Sequence, residues 1–189
     1  MTPIVVLLEL YLVDFEISRT KDFDTLPDEW TMLWQIVFCA ICEDFMFHWN
    51  HKLLHHRRLY PYIHKQHHKH ITTFSIAAEN AHWWEFASGN LGPLYLGPLL
   101  LGSRMHYITQ GIWTMVRFCE SHDAHSGFEF PWSPFRLIPF SCTATYHDFH
   151  HSHNVGCYST FFVFWDTLFG DNKAFYDYEE KLMNKKKAK

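Results

Sequence analysis

What this sequence has little of narrows its class first. It has no surplus of positive charge: 16 Lys and Arg stand against 20 Asp and Glu, a formal charge of −4. A nucleic-acid binder needs a basic face to meet phosphate, so that class is set aside. It has no cysteine framework either. Its five cysteines, an odd number, lie scattered at Cys39, Cys42, Cys119, Cys142 and Cys157, unlike a disulfide-stapled secreted domain. Cys39 and Cys42 form a C-x-x-C inside an apolar helical run, where packing is the expected role. The segment after Met1 lacks the basic n-region and small-residue cleavage site of a signal peptide. No twenty-residue window is free of polar interruption, and there is no solenoid-type repeat.

Aromatic side chains and histidine are abundant instead. Aromatics make up 19% of the chain, with 18 Phe, 9 Tyr and 8 Trp. That load suits a protein held at or in a bilayer, where Trp and Tyr settle at the headgroup level. Sixteen histidines equal all lysines and arginines together. Imidazole is the commonest metal-ligating side chain, so the excess asks for a metal. A length of 189 residues is enough for one domain with its own core.

Hydropathy sets off a membrane-associated N-terminal segment (1–40) and a basic tail (183–189) from a central region (41–182). The apolar stretch at 3–17 is short and broken by Glu9 and Asp14. From Trp30 to about Trp49 runs a helix long enough to cross much of a bilayer, interrupted by Glu43 and Asp44. Intramembrane carboxylates usually face a functional interior. Pro61 predicts a helix from about Tyr62 to His70. Residues 86–102 are apolar but punctuated by Gly89, Gly92, Pro93, Gly97, Pro98 and Gly102, the pattern of a kinked segment that doubles back. A second apolar helix is expected from about His106 to Cys119, then a Pro-rich loop (Pro131, Pro134, Pro139). The expected class is all-α.

Three histidine clusters carry the chemistry. His51 and His55 form an H-x-x-x-H, which on a helix puts both rings on one face. His64, His67 and His68 form an H-x-x-H-H, and His147, His150 and His151 repeat it about eighty residues later. Positions i, i+3 and i+4 point together. Eight ligands exceed the three or four that one zinc ion takes, so two ions fit better. Imidazole suits Zn, Cu, Fe and Ni alike, so the ligand type leaves the metal open.

These residues, with Glu43-Asp44, Ala78-Glu79-Asn80-Ala81-His82, Asp123 to Trp132 (with His125-Ser126-Gly127) and Phe164 to Gly170, resemble the fatty acid hydroxylase superfamily, and within it the C-4 methylsterol oxidases. The resemblance covers about Glu43 to Leu182. It implies a membrane-embedded helical bundle with a cytosol-facing di-iron site, and adds His82 and His125 to the ligands, ten in all. It implies O2-dependent, stepwise oxidation of a sterol 4-methyl group to the carboxylate. Electrons would come from NAD(P)H through cytochrome b5 and its reductase, beside other sterol C-4 demethylation enzymes. His48, His56, His70, His106, His122 and His153 are left out as ligands. Asp44, Glu79, Asp123 and Asp148 are placed to accept from the outer nitrogens of ligand rings. Lys186 and Lys187 fit the di-lysine address of endoplasmic reticulum membrane proteins, with a cytosolic C-terminus. Members of that family carry a longer N-terminal membrane region. The alternatives are another sterol or lipid hydroxylase or desaturase of the superfamily, a His-rich metal binder, or a silent short isoform that only binds sterol.

Overall fold

A computed structural model describes residues 23–188. The apolar stretch at 3–17 and Lys189 lie outside the described residues. Helix α1 runs over Glu29–Leu54, longer at its C-terminal end than its hydropathy suggests. Asp28 caps it, its carboxylate accepting from the Trp30 and Thr31 amides at 3.1 and 3.0 Å. At a rise of 1.5 Å per residue α1 is about 39 Å long, more than a bilayer core of about 30 Å. It is long and apolar enough to cross a membrane.

The two faces of α1 are reversed from those of a helix in water. Its buried stripe contains Gln35, Glu43, Asp44, His48 and His51, whereas Trp30, Leu33, Trp34, Val37, Ile41, Phe45, Trp49 and Leu53 are exposed. An apolar stripe turned outward along seven helical turns is stable where the surroundings are apolar too.

Against α1 lies a hairpin. Its first arm is a helical turn, α2 (Trp83–Glu85), a π-helical stretch (Phe86–Leu91) and α3 (Gly92–Leu101). Gly89, Gly92 and Gly97 face Leu54, Met46 and Cys39 in turn, so this arm runs antiparallel to α1. At Gly97 the approach is so close that an added Cβ would sit 2.6 Å from the Cys39 Cα. Small residues at a helix contact are how backbones approach in lipid, where apolar burial against another helix gains little. The chain reverses at Gly102, as the glycines and prolines predict, and α4 (Tyr107–Ala124) returns parallel to α1. The Gln35 amide donates to the Arg104 carbonyl at 2.8 Å, and Arg117 donates to Glu43 at 2.6 Å. Cys39, Leu94, Leu101, Met105, Trp113 and Phe161 fill the core between them. Cys39 is the packing residue expected of the C-x-x-C.

Beyond α4 come α5 (Ala144–His153), α6 (Phe164–Phe169) and the exposed α7 (Lys173–Lys187). Among the described residues there is no strand, only an isolated bridge between Ser141 and Phe162. The helix expected over 62–70 is instead a turn followed by a 3-10 stretch, His64–Lys69. The amide of Lys65 reaches back to the Tyr60 carbonyl at 2.9 Å, which tightens the segment after α1 and pre-empts an α-helical start at Pro61.

Candidate metal centre

Four segments bring histidine together at the C-terminal end of α1. His51 sits in the last turn of α1 and His55 caps it. His64, His67 and His68 come from the 3-10 stretch. His125 follows the last residue of α4. His147, His150 and His151 lie on α5, which Thr143 caps at its start and Asn154, in the left-handed conformation (φ 55°), ends.

Nine of the ten histidines singled out in the sequence meet, and they form two groups. One consists of His51, His55, His64, His68 and His150; the other of His67, His125, His147 and His151. Within each group one ring nitrogen per residue lies within 4.8 Å of every other. Each H-x-x-H-H therefore divides between the groups: His67 parts from His68, and His150 from His151. Adjacent residues differ by about 100° around a helix, so neighbours serve different centres. His82 lies outside both groups. It is half-exposed, and its Nδ1 accepts from the Trp84 amide at 3.2 Å, capping α2.

In four of the nine rings the outer nitrogen has a fixed partner. Nδ1 of His51 donates to the Tyr158 carbonyl (2.8 Å), that of His150 to the Gly156 carbonyl (2.6 Å) and that of His125 to the Ser121 carbonyl (2.8 Å). Nδ1 of His64 meets the buried Glu85 carboxylate at 2.8 Å. A carbonyl can only accept, so in these rings Nδ1 carries the hydrogen and Nε2 presents a bare lone pair. Yet the Nε2 atoms face one another across 2.9–3.3 Å, in pairs such as His51–His64, His55–His150, His125–His147 and His67–His125. In the His51–His64 pair both hydrogens sit on Nδ1, so the facing lone pairs repel unless a cation sits between them. The spacing fits one. Metal–nitrogen bonds of about 2.1 Å at right angles set neighbouring nitrogens about 3.0 Å apart, against about 3.4 Å for a tetrahedron. The donor set thus has the spacing of ligands around a metal ion.

Burial favours the uncharged ring throughout. It pushes His68 down to about 4 and His125 to about 3. His64, His67, His147 and His150 are held well below the usual range by burial and by neighbouring rings. At neutral pH a metal would meet free lone pairs with no protons to displace.

Nine neutral ligands leave a bound cation's charge uncancelled. Beneath the rings, three buried carboxylates (Glu43, Asp44, Glu120) surround one guanidinium, Arg117, which donates to Glu43 at 2.6 Å and Glu120 at 3.0 Å. Asp44 also accepts the amides of Thr160 (3.3 Å), Phe161 (2.9 Å) and Phe162 (3.1 Å). Asp166 takes the Tyr158 and Ser159 amides, both at 2.9 Å, and the Tyr146 hydroxyl at 2.8 Å. Together these two carboxylates position the loop whose Tyr158 carbonyl orients His51.

The carboxylates expected to steady ligand rings do other work. Glu79 lies 4.0 Å from His122, Asp123 pairs with Arg136 at 2.5 Å, and Asp148 accepts from Thr73 at 3.1 Å. The carboxylate on a box histidine is Glu85, which no spacing signal distinguished. A third acidic group, His48 with Asp166 and Asp171, already has a cation: Lys52 lies 2.6 Å from Asp171.

Residues 36–171 match the family model described as fatty acid hydroxylase. The chain is 36% identical over 160 residues to a methylsterol monooxygenase 1 of Gallus gallus, covering 85% of this chain and 53% of that protein. It is 39% identical over 165 residues to the Danio rerio methylsterol monooxygenase 1, covering 87% and 55%. It is 38% identical over 156 residues to a very-long-chain aldehyde decarbonylase, GL1-8, of Oryza sativa, covering 80% and 57%. The chain spans about half the length of these curated relatives. No solved structure matches it.

Proposed function

Since the chain belongs to the fatty acid hydroxylase family, we propose that it forms the histidine centre of a di-iron membrane monooxygenase that oxidises a sterol 4-methyl group. His51, His55, His64, His68 and His150 would hold one iron, and His67, His125, His147 and His151 the other. The observation that carries this reading is the convergence of nine Nε2 atoms, four of them in rings whose Nδ1 is held from behind. An unactivated methyl C–H has no acidic proton, so acid–base side chains cannot cleave it. Bound iron supplies the O2-dependent redox chemistry that can.

The protein's own part is positional. Tyr158, Gly156, Ser121 and Glu85 hold four rings at fixed tautomer and angle. Burial of both groups excludes water. Exposed Arg57, Arg58, Lys65 and Lys69 follow α1, whereas Asp24, Asp28 and Glu29 precede or begin it. The larger number of basic residues after α1 than before it (Arg19, Lys21) supports a cytosolic histidine end, within reach of an external electron donor. Cytochrome b5 and an NAD(P)H-dependent reductase are the donors this reading assigns. Conversion of a long-chain aldehyde is a second reading, favoured by the comparable identity to the rice decarbonylase.

The test is metal analysis of the purified chain, then incubation with O2, a reductant system and either a 4,4-dimethylsterol or a long-chain aldehyde. Two irons per chain and oxidised 4-methyl carbon support the proposal. Zinc alone, or one metal per chain, refutes the di-iron centre; turnover of the aldehyde alone moves the assignment to the second reading. His67→Ala should lower metal content, while His82→Ala should leave both irons in place.

A further inference from the structure

Two cavities adjoin on one side of the histidine groups. The inner one is walled by rings of both groups, among them His64 and His147, with Phe47 and Leu54. The outer one is walled by Phe86, Leu91, Leu94 and Phe118, between the first arm of the hairpin and α4. Ala78, Asn90, Arg117 and Ser121 line both. Sharing four wall residues, they lie side by side as a candidate passage, apolar outside, polar at the collar, with the histidines lining its inner end.

We propose that this passage binds an amphiphilic lipid by its two ends. Its rigid apolar body lies against Phe86, Leu91, Leu94 and Phe118. A hydroxyl beside the reacting methyl carbon is received by the collar of Asn90, Ser121 and Arg117. A 4-methylsterol, whose hydroxyl is on the carbon next to the methyl-bearing one, has that arrangement. The reacting carbon rests on the oxygenase reading above; the passage itself does not.

Three observations converge on it. The order of chemistry along the passage matches a molecule that is apolar except at its reacting end. Arg117 is already held at 2.6 Å by Glu43 and 3.0 Å by Glu120, so it meets a polar group without ordering cost. The outer wall and the collar share the π-helical stretch Phe86–Leu91, which presents Phe86, Asn90 and Leu91 together; π-turns concentrate at functional sites. The larger apolar groove along α4, walled by Ile112, Met115, Trp132 and Phe135, has no histidine in its wall. Ala78, buried and small, sets the width of the collar.

The experiment is photolabelling of the full chain in lipid nanodiscs with a 4,4-dimethylsterol bearing a diazirine on its side chain, with adducts mapped by mass spectrometry. Adducts should fall on Phe86, Leu91, Leu94 or Phe118, and unlabelled 4,4-dimethylsterol should compete about tenfold better than its 3-deoxy analogue. Asn90→Leu should erase that preference. Ala78→Phe, and the milder Leu91→Trp at the mouth, should each cut labelling while metal content per chain stays that of the wild type. Adducts on Ile112, Met115 or Trp132, or unchanged labelling in both narrowing variants, would overturn the passage. Preferential labelling of the same wall by a long-chain aldehyde probe would overturn the hydroxyl collar. The expected labelling in a chain that takes up no iron would sink the oxygenase reading and leave the passage standing.

Discussion

Glu85 offers the sharpest perturbation, because it acts on one metal group and not the other. Its Oε1 lies 2.8 Å from His64 Nδ1, and its Oε2 has no other hydrogen-bond partner among the described residues. The carboxylate therefore serves His64. Glu85→Gln keeps the shape and an acceptor oxygen but removes the ionisable carboxyl. Loss of such an outer partner costs about 10–100-fold in metal affinity, or roughly 1.4–2.7 kcal/mol. Glu85→Leu also strands the Nδ1 hydrogen in a buried site, adding about 1–3 kcal/mol. His64 belongs to the five-histidine group alone, so an anaerobic Fe(II) titration of metal-stripped protein against a competing chelator should become two-phased. One iron should bind as in the wild type and one more weakly, in the order Glu85, Gln, Leu. Glu79→Gln, remote from the box rings, is the control. Wild-type affinity at both sites in both Glu85 variants would refute the reasoning, as would equal weakening of both sites.

Gly97→Ala places a Cβ 2.6 Å from the Cys39 backbone; a loss of about 1–3 kcal/mol is expected as a lower thermal midpoint, and an unchanged midpoint would disprove the close α1–α3 contact. Asp44→Asn weakens acceptance of three backbone amides and should cost about 1–3 kcal/mol, with faster proteolysis between 157 and 163; equal proteolysis would show that Asp44 does not hold that loop. Acid should unfold the metal-free chain early. Burial lowers His68 from 6.5 to about 4 in the fold, so unfolding takes up a proton below 6.5. Stability present above that pH is lost as it falls towards 4, by roughly 3 kcal/mol for this ring alone; a midpoint flat between pH 7 and 5 would contradict it.

The residues that set the local chemistry were legible because their spacing is local. Rings at i, i+3 and i+4 share a face whatever surrounds them, which is why the boxes pointed to metal before any fold was known. The apolar stretch from Trp30 to about Trp49, and the glycines and prolines of 86–102, announced a long helix and a reversal for the same reason: periodicity and backbone freedom act over a few residues. The 3-10 stretch His64–Lys69 was misread because Pro61 signals a helix start equally well whether or not the preceding turn takes its backbone hydrogen bonds.

The sequence by itself determined that this chain gathers imidazole at fixed spacings beside a helix long and apolar enough to cross a membrane, since both follow from short-range spacing. Only the tertiary structure decided which ring serves which centre, that His82 caps a helical turn outside both groups, and that Glu85 and the Tyr158 carbonyl steady His64 and His51. Those contacts join residues 21 and 107 positions apart. No periodicity reaches that far; what brings them together is the close packing of the hairpin on α1 and the carboxylates of Asp44 and Asp166 that hold the returning loop.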